Sequence, residues 1–171
     1  KPIRWLISSH PHFDHIGGLR TYLHIGSTIV THMINRDFLN KDVLTYVPRT
    51  VEPDIVSKWP PTQWAEGYTY EAIQENYVIT DNSRILRVYY VQPLGHVAGM
   101  LMAYLPVEGI VFQADLFDTH EPPRRAQLPA MRSLHNQVQR MKLRVATLAP
   151  VHGTPVPWSD FMTALNRLEE D

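Results

Sequence analysis

Three histidines and an aspartate stand within six residues, His10, His12, Asp14 and His15, directly behind the apolar run Trp5-Leu6-Ile7 and just ahead of Gly17-Gly18. Residues 3–9 read as a short, largely buried strand. Four polar or ionisable groups at such a strand end are costly to desolvate unless something pairs them. Side chains alternate along a strand, so His10 and His12 can face one way as it ends. Asp14 and His15 follow where the chain turns toward a helix, addressing the same cavity from another angle. Two adjacent clusters of nitrogen and oxygen donors suit a pair of borderline or hard divalent ions.

The rest of the composition narrows the class. A chain of 171 residues, 44% of them hydrophobic, is long enough for one globular domain with a real core. Sixteen Lys and Arg balance seventeen Asp and Glu, without a block of like charge. A nucleic-acid partner is therefore not expected. The chain has no cysteine, which excludes disulfides, thiolate metal sites and a cysteine nucleophile and leaves the compartment open. No apolar run reaches the roughly 18 residues of a membrane span, so no membrane partner is expected. The opening Lys-Pro-Ile-Arg lacks the look of a signal peptide.

Periodicity places the remaining elements. Leu19, Tyr22 and Leu23 mark a short helix. Residues 28–32 read as a strand, and residues 35–44 as a helix with Asn35 as its N-cap. Residues 45–67 lose regularity, because Pro48, Pro53, Pro60 and Pro61 forbid a continuous helix or central strand. Trp59 and Trp64 suit a loop that either covers a pocket or is pinned onto the core. Strand character returns at 77–80, 85–91, 100–105 and 109–114, the last three as an antiparallel meander. A helix over 133–142 behind a Ser133 cap, a strand at 145–149 and a closing helix through Phe161, Leu165 and Leu168 complete the chain, with Ser159 or Asp160 at that helix's start. The class is α/β with layered helices.

Three more candidates sit at strand ends beside small residues: His96 in Gly95-His96-Val97-Ala98-Gly99, Asp115 after Ile110-Val111-Phe112-Gln113-Ala114, and His152 before Gly153. Ser8, Ser9, Thr31 and Asn76 are available to orient the imidazoles. His24, His32, His120 and His135 match no motif, with surface positions expected for His120 and His135. Neither a Gly-x-Ser-x-Gly elbow nor a phosphate-cradling glycine loop occurs, so a metal-free route has no support.

The run His10-x-His12-x-Asp14-His15, followed in order by Gly95-His96, Asp115 and Val151-His152-Gly153, resembles the metallo-β-lactamase superfamily. The resemblance implies an αββα sandwich with metals at one edge of the paired sheets. It implies His10, His12 and His96 on a first ion, Asp14, His15 and His152 on a second, and Asp115 bridging, with Asp14 or Asp115 moving the proton. Two zinc ions are expected, although iron or manganese suit the same donors. The implied reaction is attack by metal-activated water on a small ester, lactone, thioester, phosphodiester or amide, with weak β-lactam hydrolysis as a side activity.

His12 stands where diiron redox branches carry glutamate, and Asp115 where dedicated β-lactamases carry cysteine or serine. His12 thus favours zinc hydrolysis over that redox role, and Asp115 resembles the glyoxalase II, lactonase, phosphodiesterase and general-hydrolase branches. Set against complete family members, residues 1–171 would form a single such domain lacking its N-terminal strands, with uncovered sheet edges through which copies could pair. Two alternatives stand beside the hydrolase: a metal-binding fragment with poor turnover, and a mononuclear iron sulfur dioxygenase.

Overall fold

The computed structural model describes residues 1–45, 54–92 and 96–170. Pro48, Pro53 and the Pro93-Leu94-Gly95 turn lie outside the described residues. The backbone divides into two compact units, residues 1–74 and 75–171.

In the first unit β1 (Trp5–Ile7), β2 (Thr28–His32) and β3 (Tyr70–Ile73) form a parallel sheet in the order β1-β2-β3. The β-branched run of β2 suits the central place, and Ile29 and Val30 are fully buried. Between the strands come α1 (Phe13–Ile16) and α2 (Leu19–His24). Leu19 and Leu23 of α2 pack with Ile29, Leu39, Leu44 and Val56 into the core of this unit.

The helix expected over 35–44 is a composite. A 3-10 turn, Met33–Asn35, leads into α3 (Arg36–Phe38), which widens into a π-helical stretch, Leu39–Leu44. Asn35 occupies the N-cap position of α3, but its side chain makes no capping hydrogen bond. Instead the His32 ring caps the 3-10 turn, accepting the Ile34 N–H at 3.3 Å while its other nitrogen lies 2.9 Å from the Gln74 carbonyl oxygen.

The stretch expected to be irregular contains a 3-10 turn, Val56–Lys58, and α4 (Pro61–Glu66). Pro61 sits in the first turn of α4, where its missing N–H breaks no helical bond. Trp59 and Trp64, their rings 5.0 Å apart, pack against the core of this unit. Arg20, 6% exposed, ties the segment down. Its guanidinium donates to both Asp54 oxygens at 2.5 and 2.9 Å and to the Leu44 carbonyl at 2.6 Å.

The second unit holds a six-stranded sheet in sequence order: β4 (Asn76–Thr80), β5 (Ile85–Tyr90), β6 (Leu101–Leu105), β7 (Ile110–Gln113), β8 (Thr147–Pro150) and β9 (Val156–Pro157). The expected meander is present, since β5, β6 and β7 pair antiparallel. β7 and β8 run parallel, with Gln113 opposite Pro150, and α5 (Leu128–Arg140) lies on the crossover between them. Leu128, Met131, Leu134 and Val138 of α5 share one core with Phe161, Leu165 and Leu168 of α6 (Trp158–Glu170) and with Met102, Val111 and Leu148 of the sheet.

The expected Ser133 cap fails. Helix α5 begins five residues earlier, and the Ser133 hydroxyl donates backward to the Pro129 carbonyl at 2.9 Å. Among the described residues no helix is long and apolar enough to cross a membrane.

Candidate functional site

In the first unit the donors are placed by a turn. β1 ends at Ile7, and the Ser8 N–H adds one more bond to the Val30 carbonyl at 2.8 Å. His10 and His12 therefore face each other through the bend around Pro11 and not through strand alternation. Their facing nitrogens, Nε2 of His10 and Nδ1 of His12, are 3.0 Å apart, and the rings meet edge to face with centroids 4.5 Å apart.

His12 is extended, and its carbonyl receives the N–H groups of His15 and Ile16 at 3.0 and 3.1 Å, which starts α1. This brings the His15 ring to 4.2 Å from that of His10, and His15 Nε2 to 3.2 Å from Asp14 Oδ2. The Ser9 hydroxyl lies 3.2 Å from His10 Nδ1, the orienting contact that the sequence made available. His10 is buried, whereas His12 and Asp14 are exposed.

In the second unit the donors gather at one end of the sheet. His96 precedes β6, Asp115 follows β7 and His152 follows β8. β6 runs antiparallel to β7, and β7 runs parallel to β8, so these three positions share an edge. Asp115 addresses the two histidines with different oxygens. Oδ2 lies 3.3 Å from His96 Nε2, and Oδ1 lies 3.3 Å from His152 Nε2.

Asp115 itself has φ +60°, in the left-handed region that a non-glycine residue seldom enters. Gln113 holds the chain there. This side chain, 2% exposed, accepts the Leu116 and Phe117 N–H groups at 2.9 and 3.2 Å and donates to the Phe117 carbonyl at 2.6 Å. Sequence reasoning missed Gln113. Its one signal was an amide at an inward strand position, where an apolar residue is the norm.

The unmatched histidines are accounted for locally. His24 Nδ1 accepts the Trp59 indole N–H at 3.2 Å, and His32 caps its turn as described. His120 is exposed and lies 3.3 Å from Asp118 Oδ1, while His135 is half-buried on α5 with Gln139 Nε2 at 3.4 Å. Asn76 is exposed on β4.

The described residues thus include histidine and aspartate groups able to hold a metal ion. The donor chemistry fits one: imidazole nitrogens and carboxylate oxygens without thiolate suit zinc, iron(II) or manganese.

Comparison with known proteins agrees. Residues 1–152 match the family model described as the metallo-beta-lactamase superfamily. Among solved structures, a metallo-beta-lactamase from Pontibacter korlensis is similar, with 18% identity and a TM-score of 0.68, over 100% of this chain and 71% of that one. A flavodiiron protein from Giardia intestinalis is similar at 14% identity and a TM-score of 0.66, over 98% of this chain and 42% of its own. An archaeal metallo-beta-lactamase superfamily protein from Sulfolobus tokodaii shares 16% identity and a TM-score of 0.65, over 96% of this chain and 67% of that one. Among curated proteins none matches. At these identities the likeness establishes the fold, a mixed α/β metallo-β-lactamase-like fold of which the chain spans part.

Proposed function

The chain belongs to the metallo-beta-lactamase superfamily, and from that premise we propose that it is a metal-dependent hydrolase with a binuclear centre. In this reading His10, His12 and His96 hold one divalent ion, Asp14, His15 and His152 hold a second, and Asp115 bridges them. Zinc is the expected metal. The observation that carries the reading is Asp115 itself: one carboxylate presents separate oxygens, each at 3.3 Å, to two different imidazoles.

Bound ions would supply Lewis-acid activation of water and of the scissile group. The protein's own part is to hold neutral imidazoles at fixed angles and to move a proton. Ser9 beside His10 Nδ1 orients that ring. In this reading Asp14, its carboxylate 41% exposed and close to the His15 ring, takes a proton from the nucleophile and returns it to the leaving group. Asp115 is the alternative carboxylate for that transfer. The substrate class is a small ester, lactone, thioester, phosphodiester or amide. A bridging aspartate supports the glyoxalase II and lactonase branches over the dedicated β-lactamases, and His12 in place of glutamate supports hydrolysis over diiron redox chemistry.

The test combines metal quantification with a panel of chromogenic esters, lactones, phosphodiesters and β-lactams. The expected result is two zinc ions per chain with metal-dependent turnover. His12→Ala should lower that turnover more than about 100-fold, beyond the loss typical of an outer hydrogen-bond partner. Asp115→Asn should cost the second ion. One iron with oxygen consumption, or bound metal without turnover of any panel member, overturns the hydrolase.

A further inference from the structure

One hydroxyl grips the loop that carries His152. Thr119 Oγ1 donates to the Thr154 carbonyl at 2.9 Å and accepts the Thr154 N–H at 2.7 Å, so it satisfies both backbone groups of a single residue. The residue between His152 and Thr154 makes this approach feasible. Gly153 has φ +109°, and a Cβ there would fall 2.0 Å from Thr119 Oγ1 and 3.0 Å from the Thr119 backbone nitrogen. Only a bare α-carbon leaves room for the hydroxyl.

We propose that Thr119 is a positioning residue that sets where the His152 imidazole stands, by clamping the backbone two residues beyond it. The proposal rests on the reading of His152 and Asp115 as metal ligands. Thr119 lies four residues after Asp115, so the clamp ties the loop of one candidate ligand to the loop of the other. Two Cα steps, each about 3.8 Å, separate the clamped residue from His152. That leash is short enough for motion at Thr154 to reach the imidazole directly. A β-branched side chain suits the task, because its first torsion is confined and the hydroxyl direction stays fixed. His152 is 39% exposed, so packing alone confines its ring loosely, and backbone placement carries more of the work.

The experiment uses the full chain and two changes, the isosteric Thr119→Val and the hydroxyl-keeping Thr119→Ser. Zinc titration and the cobalt(II) absorption spectrum report on the ligands, and amide exchange at Thr154 in metal-free protein reports on the clamp. Thr119→Val should weaken the second ion about tenfold, alter the cobalt spectrum and speed exchange at Thr154, while Thr119→Ser restores all three. If the valine variant fails to fold, Thr119→Ala carries the same comparison, since it removes the hydroxyl without adding bulk. Two ions at wild-type affinity with an unchanged cobalt spectrum in the variant overturn this proposal alone. A wild-type chain that takes up no ion overturns the metal reading and this proposal with it.

Discussion

Gln113 and Phe117 are joined through both ends of one side-chain amide: the nitrogen donates to the Phe117 carbonyl at 2.6 Å while the oxygen accepts the Phe117 N–H at 3.2 Å. The same oxygen also takes the Leu116 N–H, so the turn presenting Asp115 is closed from beneath by a buried group. Replacing Gln113 with leucine would leave three buried backbone groups without their partner. Each orphaned group costs about 1–3 kcal/mol, partly recovered by relaxation, so a loss of about 3 kcal/mol is expected. Urea unfolding measures it. Metal content at saturating zinc should fall in the same variant, because the left-handed Asp115 conformation loses its support.

Asp54 predicts an acid-limb effect. The Arg20 guanidinium bonded to it, helped by the Ser57 N–H, holds its carboxyl well below the usual carboxylate range, against the opposing effect of burial. With the folded value depressed, the stabilisation is complete above the unfolded value, about pH 3.9, and drains away as pH falls through the folded value. Asp54→Asn should therefore destabilise the protein at pH 7 by about 1–2 kcal/mol, a modest figure because the Asp54 side chain is 40% exposed. The gap between variant and wild type should shrink as pH drops below about 4. Thermal unfolding from pH 2 to pH 7 provides the comparison, and a gap independent of pH would contradict the ion pair.

Tyr70 governs the opposite limb. Burial, with the Tyr68 phenol beside it, pushes its pKa up to about 12 despite the nearby Arg36 charge. Between the unfolded value, about 10, and the folded value the unfolded chain binds fewer protons, so stability declines as pH rises through that window. The Tyr70 hydroxyl makes no hydrogen bond of full geometry among the described residues, and the nearby Thr31 hydroxyl only partly offsets the upward shift. Tyr70→Phe should thus be neutral or stabilising by up to about 1 kcal/mol at pH 7. It should also flatten the alkaline decline, followed by fluorescence-detected denaturation from pH 8 to pH 11.

Phe13 is 86% exposed between His12 and Asp14. A large ring so placed contributes little to folding, and removing it should change stability by less than about 0.5 kcal/mol. Under the hydrolase reading it offers an apolar wall beside the donors. Phe13→Ala should raise KM several-fold for esters with an aromatic or long alkyl group, leaving kcat and short acetyl esters nearly unchanged. Equal effects on both ester series would remove Phe13 from substrate contact.

The candidate donors were legible because imidazoles and carboxylates are conspicuous at the ends of apolar runs, and β2 because a run of four β-branched residues has few other uses. The supports were not. Gln113 and Thr119 act on backbone atoms, which carry no side-chain signature, so Thr119 reads as an ordinary polar residue and Gln113 stands out only as an amide at an inward strand position. β3 escaped because Tyr70-Glu71-Ala72-Ile73 neither alternates nor runs apolar, and its strand state comes from pairing beside β2. Helix α4 was hidden by the proline that begins it. Ser133 resembles a cap because the apolar spacing of Leu134, Val138 and Met141 begins just beyond it, at a position where a hydroxyl can equally bond backward.

β7 and β8 point in the same direction, and the connection between them, including α5, must return along the opposite rim before β8 begins. Material added at that far rim would lengthen the return path without moving the carboxyl ends of either strand. Evolution and engineers alike can therefore graft onto that side, while the spacing from Asp115 to His152 is kept at the near rim by neighbouring strands and by the short Thr119 bridge to Thr154.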